Sequence, residues 1–401
     1  MLKSNGMLCY YRRRSVQEYR LGTRMGNVGL IVLTLSERSK FMSCLRMILA
    51  LAVICVFTGI GSANVPESAF NQDPWPMAKE GPVKVFILAG QSNMQGHAAL
   101  RTLEYLIYNE ETAPEYQQWK DRWGDWYERS DVWIWTTDGE RYGNLKPGFG
   151  QSERKIGPEL GFGWVIGEAM SEQVLLIKTC WGGRSVKRDF LPPSAQMPPD
   201  EKLEKELENA RKRNPDTTID EIKERYGKAY RDMIKHVNDV LGNLKKLFPK
   251  YDEKRGCELA GFVWFQGWND MVDREQRGEK YVNYTKRLAQ LIKDVRKDLK
   301  APNLPVVIGE LGATKRGDFR AAQEAVAKLP EFRGNVKFVK TREFWEPEVE
   351  EMANKGVWKG PDWVKFYNVG SERGYHYLGS AKIYYQMGKA FGEGMAELLG
   401  E

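Results

Sequence analysis

The chain has 401 residues, 42% hydrophobic and 29% charged, with no low-complexity tract or internal repeat, so it can bury a sizeable core. Its formal net charge is +7, but residues 1–63 hold nine Lys/Arg against two Asp/Glu, which leaves 52 of each sign in the rest. A charge-balanced body removes the main support for nucleic-acid binding.

The first segment reads as a targeting leader. Arg46 precedes the apolar stretch Met47 to Phe57, and Gly59, Gly61, Ser62 and Ala63 follow, the layout of a secretory signal peptide. Met42 stands where such a peptide starts, so residues 1–41 read as an over-long start. The apolar run is short of the roughly 20 residues of a bilayer span. Export is therefore expected, with a retained N-terminal anchor as the alternative. A lipoprotein site is disfavoured by bulky Ile54 before Cys55.

Residues 64–401 read as a single domain. Apolar, β-branched runs start at Val83, Asp131, Gln173, Leu259, Leu304 and Val336 and lack strict alternation, the pattern of strands buried on both faces. Helical patterns lie between them. Pro158 opens one at its first turn, and a long one over 217–248 carries Ile222, Tyr226, Tyr230, Met233, Val237, Val240, Leu241 and Leu244 on one stripe. Others cover 281–300 and 379–399, and the Glu/Lys-rich stretch near 197–215 reads as a solvated helical insertion. Strands alternating with helices predict an α/β fold: a parallel sheet with helices on both faces, a three-layer α/β/α sandwich. Cys180 ends one strand and Cys257 precedes another. They should lie at opposite edges, roughly 20 Å apart at about 3.3 Å per residue, too far for a disulfide.

Open α/β sheets place their sites at the carboxyl ends of the strands. Those ends read GQSNMQG after the first strand, CWGGRS after the third and QGWND after the fourth, with YHYLGS before the last helix. Ser92 in the first block is either a nucleophile or a helix N-cap, a common role for serine. A nucleophilic serine needs a base, and the chain has three histidines. His236 sits within the long helix as a flank residue. His97, five residues after Ser92, could line the same pocket, but as the base it would have to double back over its own turn. His376, in a Gly/Tyr-rich loop before the last helix, is the better placed. Asn269 and Asp270 can also be read as caps of the segment after their strand. Trp135, Trp181 and Trp268 fall at or near strand ends, where an indole could stack on a sugar, although most of the thirteen tryptophans should be core. No clustered His/Cys set indicates a metal, and no Gly-Lys-Ser/Thr ending indicates a phosphate loop, so no cofactor is expected.

These blocks resemble those of SGNH-type hydrolases, in the branch of sialate O-acetylesterases and related acetylxylan esterases. GQSNMQG resembles the nucleophile block, WGGRS the second, QGWND the third and YHYLGSAKIYYQMGKAF the last, over about Val83 to Leu399. The resemblance implies a flavodoxin-like three-layer fold and a carbohydrate O-acetylesterase. It implies that Ser92 is the nucleophile and His376 the base. The oxyanion hole would be the backbone N–H groups of Ser92 and Gly183 with the Asn269 amide. Gln91, Gln266, Trp268 and Trp181 are the candidate substrate-binding side chains. Two positions depart from the pattern: Arg373 stands where many relatives carry an aspartate, and Trp268 where a glutamate often follows QG. Glu372, Asp270 or a backbone carbonyl is left to orient His376. The expected partner is an acetylated carbohydrate on sialic acid or a xylan-like polysaccharide, with no nucleic acid and no stable membrane span after cleavage. The rival readings are a carbohydrate-binding protein with weak catalysis on the same fold, and a thioesterase or lysophospholipase.

Overall fold

The computed structural model describes residues 73–401; the leader and its cleavage region lie outside the described residues. Seven strands make the main sheet: β1 (Val83–Gly90), β2 (Arg129–Trp135), β3 (Tyr142–Leu145), β4 (Val174–Cys180), β5 (Cys257–Phe265), β6 (Val306–Gly309) and β7 (Val336–Val339). Their spatial order is β3-β2-β4-β1-β5-β6-β7, and every pair is parallel except β2 with β3. The run β4-β1-β5-β6-β7 is the flavodoxin-like order, and the chain reverses its direction of travel beside β1. That reversal opens a crevice at the carboxyl ends of β4, β1 and β5.

All six expected strands are present. The seventh, β3, was not anticipated: its sequence YGNL carries no apolar run, because it is an edge strand with an exposed Tyr142.

Alternation along each strand divides the core. Val85, Ile87 and Ala89 of β1 join one apolar cluster, and Phe86 and Leu88 join the other. The first face is covered by α2 (Lys228–Gly242), α3 (Val282–Asp298) and α4 (Gly317–Ala327). The second is covered by α1 (Glu159–Ala169) and α5 (Ala381–Leu399). Because both faces are covered, the strands read as apolar runs without a polar side. Helices α1 and α5 cross at glycines. A Cβ on Gly161 would lie 2.1 Å from the Tyr385 carbonyl oxygen, and one on Gly388 2.1 Å from that of Pro158.

The long helical stripe over 217–248 is broken. It forms a short helix, Ile219–Arg225, then Gly227 in the left-handed region at φ 69°, then α2. The Gly227 N–H donates to the Arg188 carbonyl at 2.8 Å, so the break is held by the preceding loop. Ile222 and Tyr226 consequently leave the main core and pack with Leu191 and Leu203 in a small satellite cluster. Leu203 is the single buried residue of the helix Asp200–Arg211, whose remaining Glu/Lys surface faces solvent.

Candidate active site

The turn after β1 is built around Gly90. Its φ is 151°, and a Cβ there would lie 2.1 Å from the Phe265 carbonyl oxygen of β5, so only glycine lets the two strand ends approach. The chain then enters a one-turn helix, Ser92–Gln95, in which Gln91, not Ser92, holds the N-cap position. Among the described residues no group hydrogen-bonds the Ser92 hydroxyl, which lines a cleft of about 420 Å³. The N-cap alternative for Ser92 therefore does not describe its place in the fold.

Gln91 faces the other way. Its Oε1 accepts from the Gly267 N–H at 3.1 Å and its Nε2 donates to Asn269 Oδ1 at 3.4 Å. These contacts orient the Asn269 amide, leaving its NH₂ group for the cleft that Asn269 also lines. Gly182 and Gly183 form the next wall. A Cβ on Gly182 would come within 4.0 Å of Ser92 Cβ, and Gly183 takes φ 70° with nothing crowding it. Ser92, Gly183, Asn269 and His376 thus line one cleft, together with Gln91, Gln95, His97, Gln151, Trp268 and Tyr375.

His376 sits in a loop with an uncommon backbone. Tyr377 and Leu378 have φ of 49° and 60°, and Gly379 follows at 61°, so three consecutive residues are left-handed. Such conformations persist only where the surroundings impose them. Here Asn93 Nδ2 donates to the Tyr375 carbonyl at 3.2 Å, and Asn93 Oδ1 accepts from the buried Tyr384 hydroxyl at 3.0 Å. Ser371 closes the loop through the Gly379 carbonyl at 2.9 Å. The residue beside the candidate nucleophile therefore pins the histidine loop.

The two candidate acids part company. Glu372 Oε2 lies 3.8 Å from His376 Nδ1, within the range that tightens to a hydrogen bond when a site is occupied. Its Oε1 lies 3.7 Å from His97 Nδ1 and 2.9 Å from Lys155 Nζ. The imidazoles of His376 and His97, with the Lys155 ammonium, hold its carboxyl far below the usual range. Asp270 is elsewhere. It is fully buried and accepts from the Val186 and Lys187 N–H groups and from the amides of Gln266 and Gln276, all at 2.6–3.0 Å. With its lone pairs so engaged it does not face His376, and its role is to hold the 184–187 loop. Gln266 shares that role. It is buried, bonds the Arg184 carbonyl at 2.9 Å as well as Asp270, and does not line the cleft.

Of the tryptophans, Trp268 lines the cleft beside Tyr375, with ring centroids 5.8 Å apart. Trp181 does not; it packs against Phe190 and His236 and lines a neighbouring crevice. Trp135 is buried against His236, which sits between the two indoles as a flank residue of α2.

Lys155 escaped sequence reasoning, and His97, the poorer candidate for the base, lines the cleft. His97 stacks on His376 with ring centroids 3.9 Å apart and a 12° interplanar angle. Burial chiefly lowers the pKa of His97, and Glu372 opposes that shift. Lys155 arrives on a two-residue antiparallel ribbon, Lys155–Ile156 with Ala98–Ala99, too short to leave a sequence signal. One ligand atom each of His97, Glu372 and His376 lies within 4.8 Å of the others, a spacing that could hold a metal. The Lys155 ammonium, 3.2 Å from His97 Nδ1 and bonded to Glu372, already supplies the positive charge that these groups attract.

Residues 82–348 match the family model described as a carbohydrate esterase, sialic acid-specific acetylesterase, two-thirds of the chain. The chain belongs to this family. The matched span includes Ser92, Gly183 and Asn269 and ends before Glu372 and His376. No curated protein matches the chain. Among solved structures, a protein from Arabidopsis thaliana is 17% identical, with 80% of this chain and 99% of that one covered and a TM-score of 0.44. A carbohydrate acetylesterase from Xanthomonas citri is 12% identical over 64% of this chain and 49% of its own, at a TM-score of 0.36. NanS is 13% identical over 66% and 79%, at 0.38. The family is one of carbohydrate esterases, which places an acetylated carbohydrate as the class of substrate. Among the described residues no helix is long and apolar enough to cross a membrane.

Proposed function

We propose that this family member is a serine-dependent carbohydrate O-acetylesterase, exported through its leader and acting on acetyl esters of sialic acid or a xylan-like polysaccharide. The observation that carries the reading is the meeting of Ser92, Gly183, Asn269 and His376 in one cleft at the carboxyl ends of β1, β4 and β5. The Ser92 oxygen attacks the acetyl carbonyl carbon and its proton passes to Nε2 of His376, whose Nδ1 faces Glu372. Negative charge moves onto the carbonyl oxygen, where the N–H groups of Ser92 and Gly183 and the Asn269 amide donate to it. Collapse breaks the bond to the sugar oxygen, which leaves with the His376 proton. Water, deprotonated by His376, then attacks the acetyl-Ser92 ester and releases acetate.

The rival reading of a weakly catalytic carbohydrate-binding protein rested on the lack of an aspartate at position 373. Against that, Glu372 Oε2 lies 3.8 Å from His376 Nδ1, which supports Glu372 as the acid in its place. Hydrolysis of an aryl acetate by the purified protein and by Ser92→Ala decides between them. The wild type should turn over and the variant should not; equal rates would refute serine dependence. Acetate release from acetylated sialic acid, acetylated xylan and long-chain acyl esters then identifies the substrate.

A further inference from the structure

We propose that an aromatic crevice next to the catalytic cleft is a glycan subsite, seating the sugar chain from which the acetyl group projects. The inference rests on the esterase reading and makes the substrate an oligosaccharide or polysaccharide, not a free monosaccharide. The crevice, about 390 Å³, is lined by Trp358, Trp363, Tyr367 and Phe366, with Arg101 and Arg373 beside them. Apart from Arg101, its lining lies beyond residue 348, where the family match ends.

Three observations point to a sugar. Trp363 is 48% exposed, Tyr367 45% and Trp358 39%, so exposed aromatic surface is concentrated at one opening. The rings are braced, not stacked on one another. Trp358 tilts at 55° against Phe366, and Trp363 stands edge-on to Tyr367 at 81°. That leaves indole surface for the C–H face of a pyranose, while the arginines offer donors to its hydroxyls. Arg101 fixes the platform, with its guanidinium 4.0 Å above the Tyr367 ring and bonded to the Gly370 carbonyl at 3.1 Å.

Continuity with the catalytic cleft selects the occupant. Tyr375 lines both openings, 4.5 Å from the His376 ring and 5.8 Å from Trp268. A chain lying on the indoles can therefore run past Tyr375 toward Ser92. The crevice has the volume of a ligand site, about 300–1,000 Å³.

The test compares the wild type with the Trp358→Ala/Trp363→Ala double variant on an aryl acetate and on an acetylated xylo-oligosaccharide. The double variant should lose about tenfold in kcat/KM on the oligosaccharide, through KM, and keep its aryl acetate rate. Trp363→Phe, which retains a ring, should recover much of the loss. An unchanged KM for the oligosaccharide, or an equal fall on both substrates, would overturn the subsite. Calorimetric titration of Ser92→Ala with deacetylated xylo-oligosaccharide, with and without the two tryptophan changes, reads the subsite apart from catalysis. Tryptophan-dependent binding, together with a wild type that cleaves no acetate ester, would refute the esterase reading and leave the subsite standing; absence of binding with the tryptophans present would refute the subsite.

Discussion

Asn269 shows how one side chain acquires a role from its neighbours. Its Oδ1 is taken by Gln91, which in turn is held by the Gly267 N–H, so the amide presents donors to the cleft without a search for orientation. In the proposed mechanism Asn269 is an oxyanion donor, and one such donor contributes roughly 2.7–4 kcal/mol to the transition state. Asn269→Ala should lower kcat about 100- to 1,000-fold, with an unchanged urea midpoint that separates lost chemistry from lost structure. The stacked histidines give a second residue-scale prediction. His97 is held below its ordinary pKa of 6.5, chiefly by burial. Between the folded and unfolded pKa values the unfolded chain binds the extra proton, so stability falls as the pH drops below 6.5. One proton changes stability by at most about 1.4 kcal/mol per pH unit. His97→Gln should flatten the urea-midpoint profile below its ordinary pKa of 6.5; parallel profiles would count against the assignment. Glu372, whose pKa is also depressed, acts with the same sign in a lower window. Its stabilisation is present above the ordinary value of 4.5 and is lost at lower pH.

At the scale of elements, the one-turn helix that carries Ser92 is too short to hold itself. It is tied down by Lys178 on β4, a buried lysine whose ammonium bonds the Gln95 and Phe149 carbonyls at 2.9 and 2.7 Å and Glu159 of α1 at 2.9 Å. Glu159 in turn accepts from the Gly157 N–H at 2.8 Å. One ion pair thus joins β4, α1 and the Ser92 turn. Removing one partner of a buried pair strands the other charge, at a cost of about 3–5 kcal/mol. Lys178→Met should lower the stability measured by urea denaturation by that amount, and a loss below about 1 kcal/mol would show that the pair is dispensable.

Across the whole molecule, the register of the sheet separates the two described cysteines. Cys180 pairs with Gly90 at one end of β1, and Cys257 pairs with Val83 at the other. Seven residues at about 3.3 Å each put roughly 23 Å between them, against the ~7 Å a disulfide tolerates. Both thiols are free, and burial pushes Cys180 up to about 11. Dithiothreitol should leave the melting temperature unchanged, and iodoacetamide should label Cys180 only after unfolding. A reductant-sensitive melt would show a bridge.

The local sequence determined the strands, because a strand covered on both faces must be apolar at nearly every position, as β1 is from Val85 to Ala89. It also marked the glycine- and amide-rich strand ends, because a backbone that must approach a ligand cannot carry bulk there. It did not reveal β3, whose side chains meet solvent, or the break at Gly227, where a loop overrides a continuous stripe. In sequence Glu372 was the first candidate acid, with Asp270 or a backbone carbonyl as alternatives. Only the fold separated them, by spending one carboxylate on four buried donors and turning the other toward two histidines. The same holds for Lys155, His97 and the aromatic crevice. Each depends on segments far apart in the chain, brought together by contacts such as Asn93 with the Tyr375 carbonyl and Ser371 with Ala99, which no local pattern records.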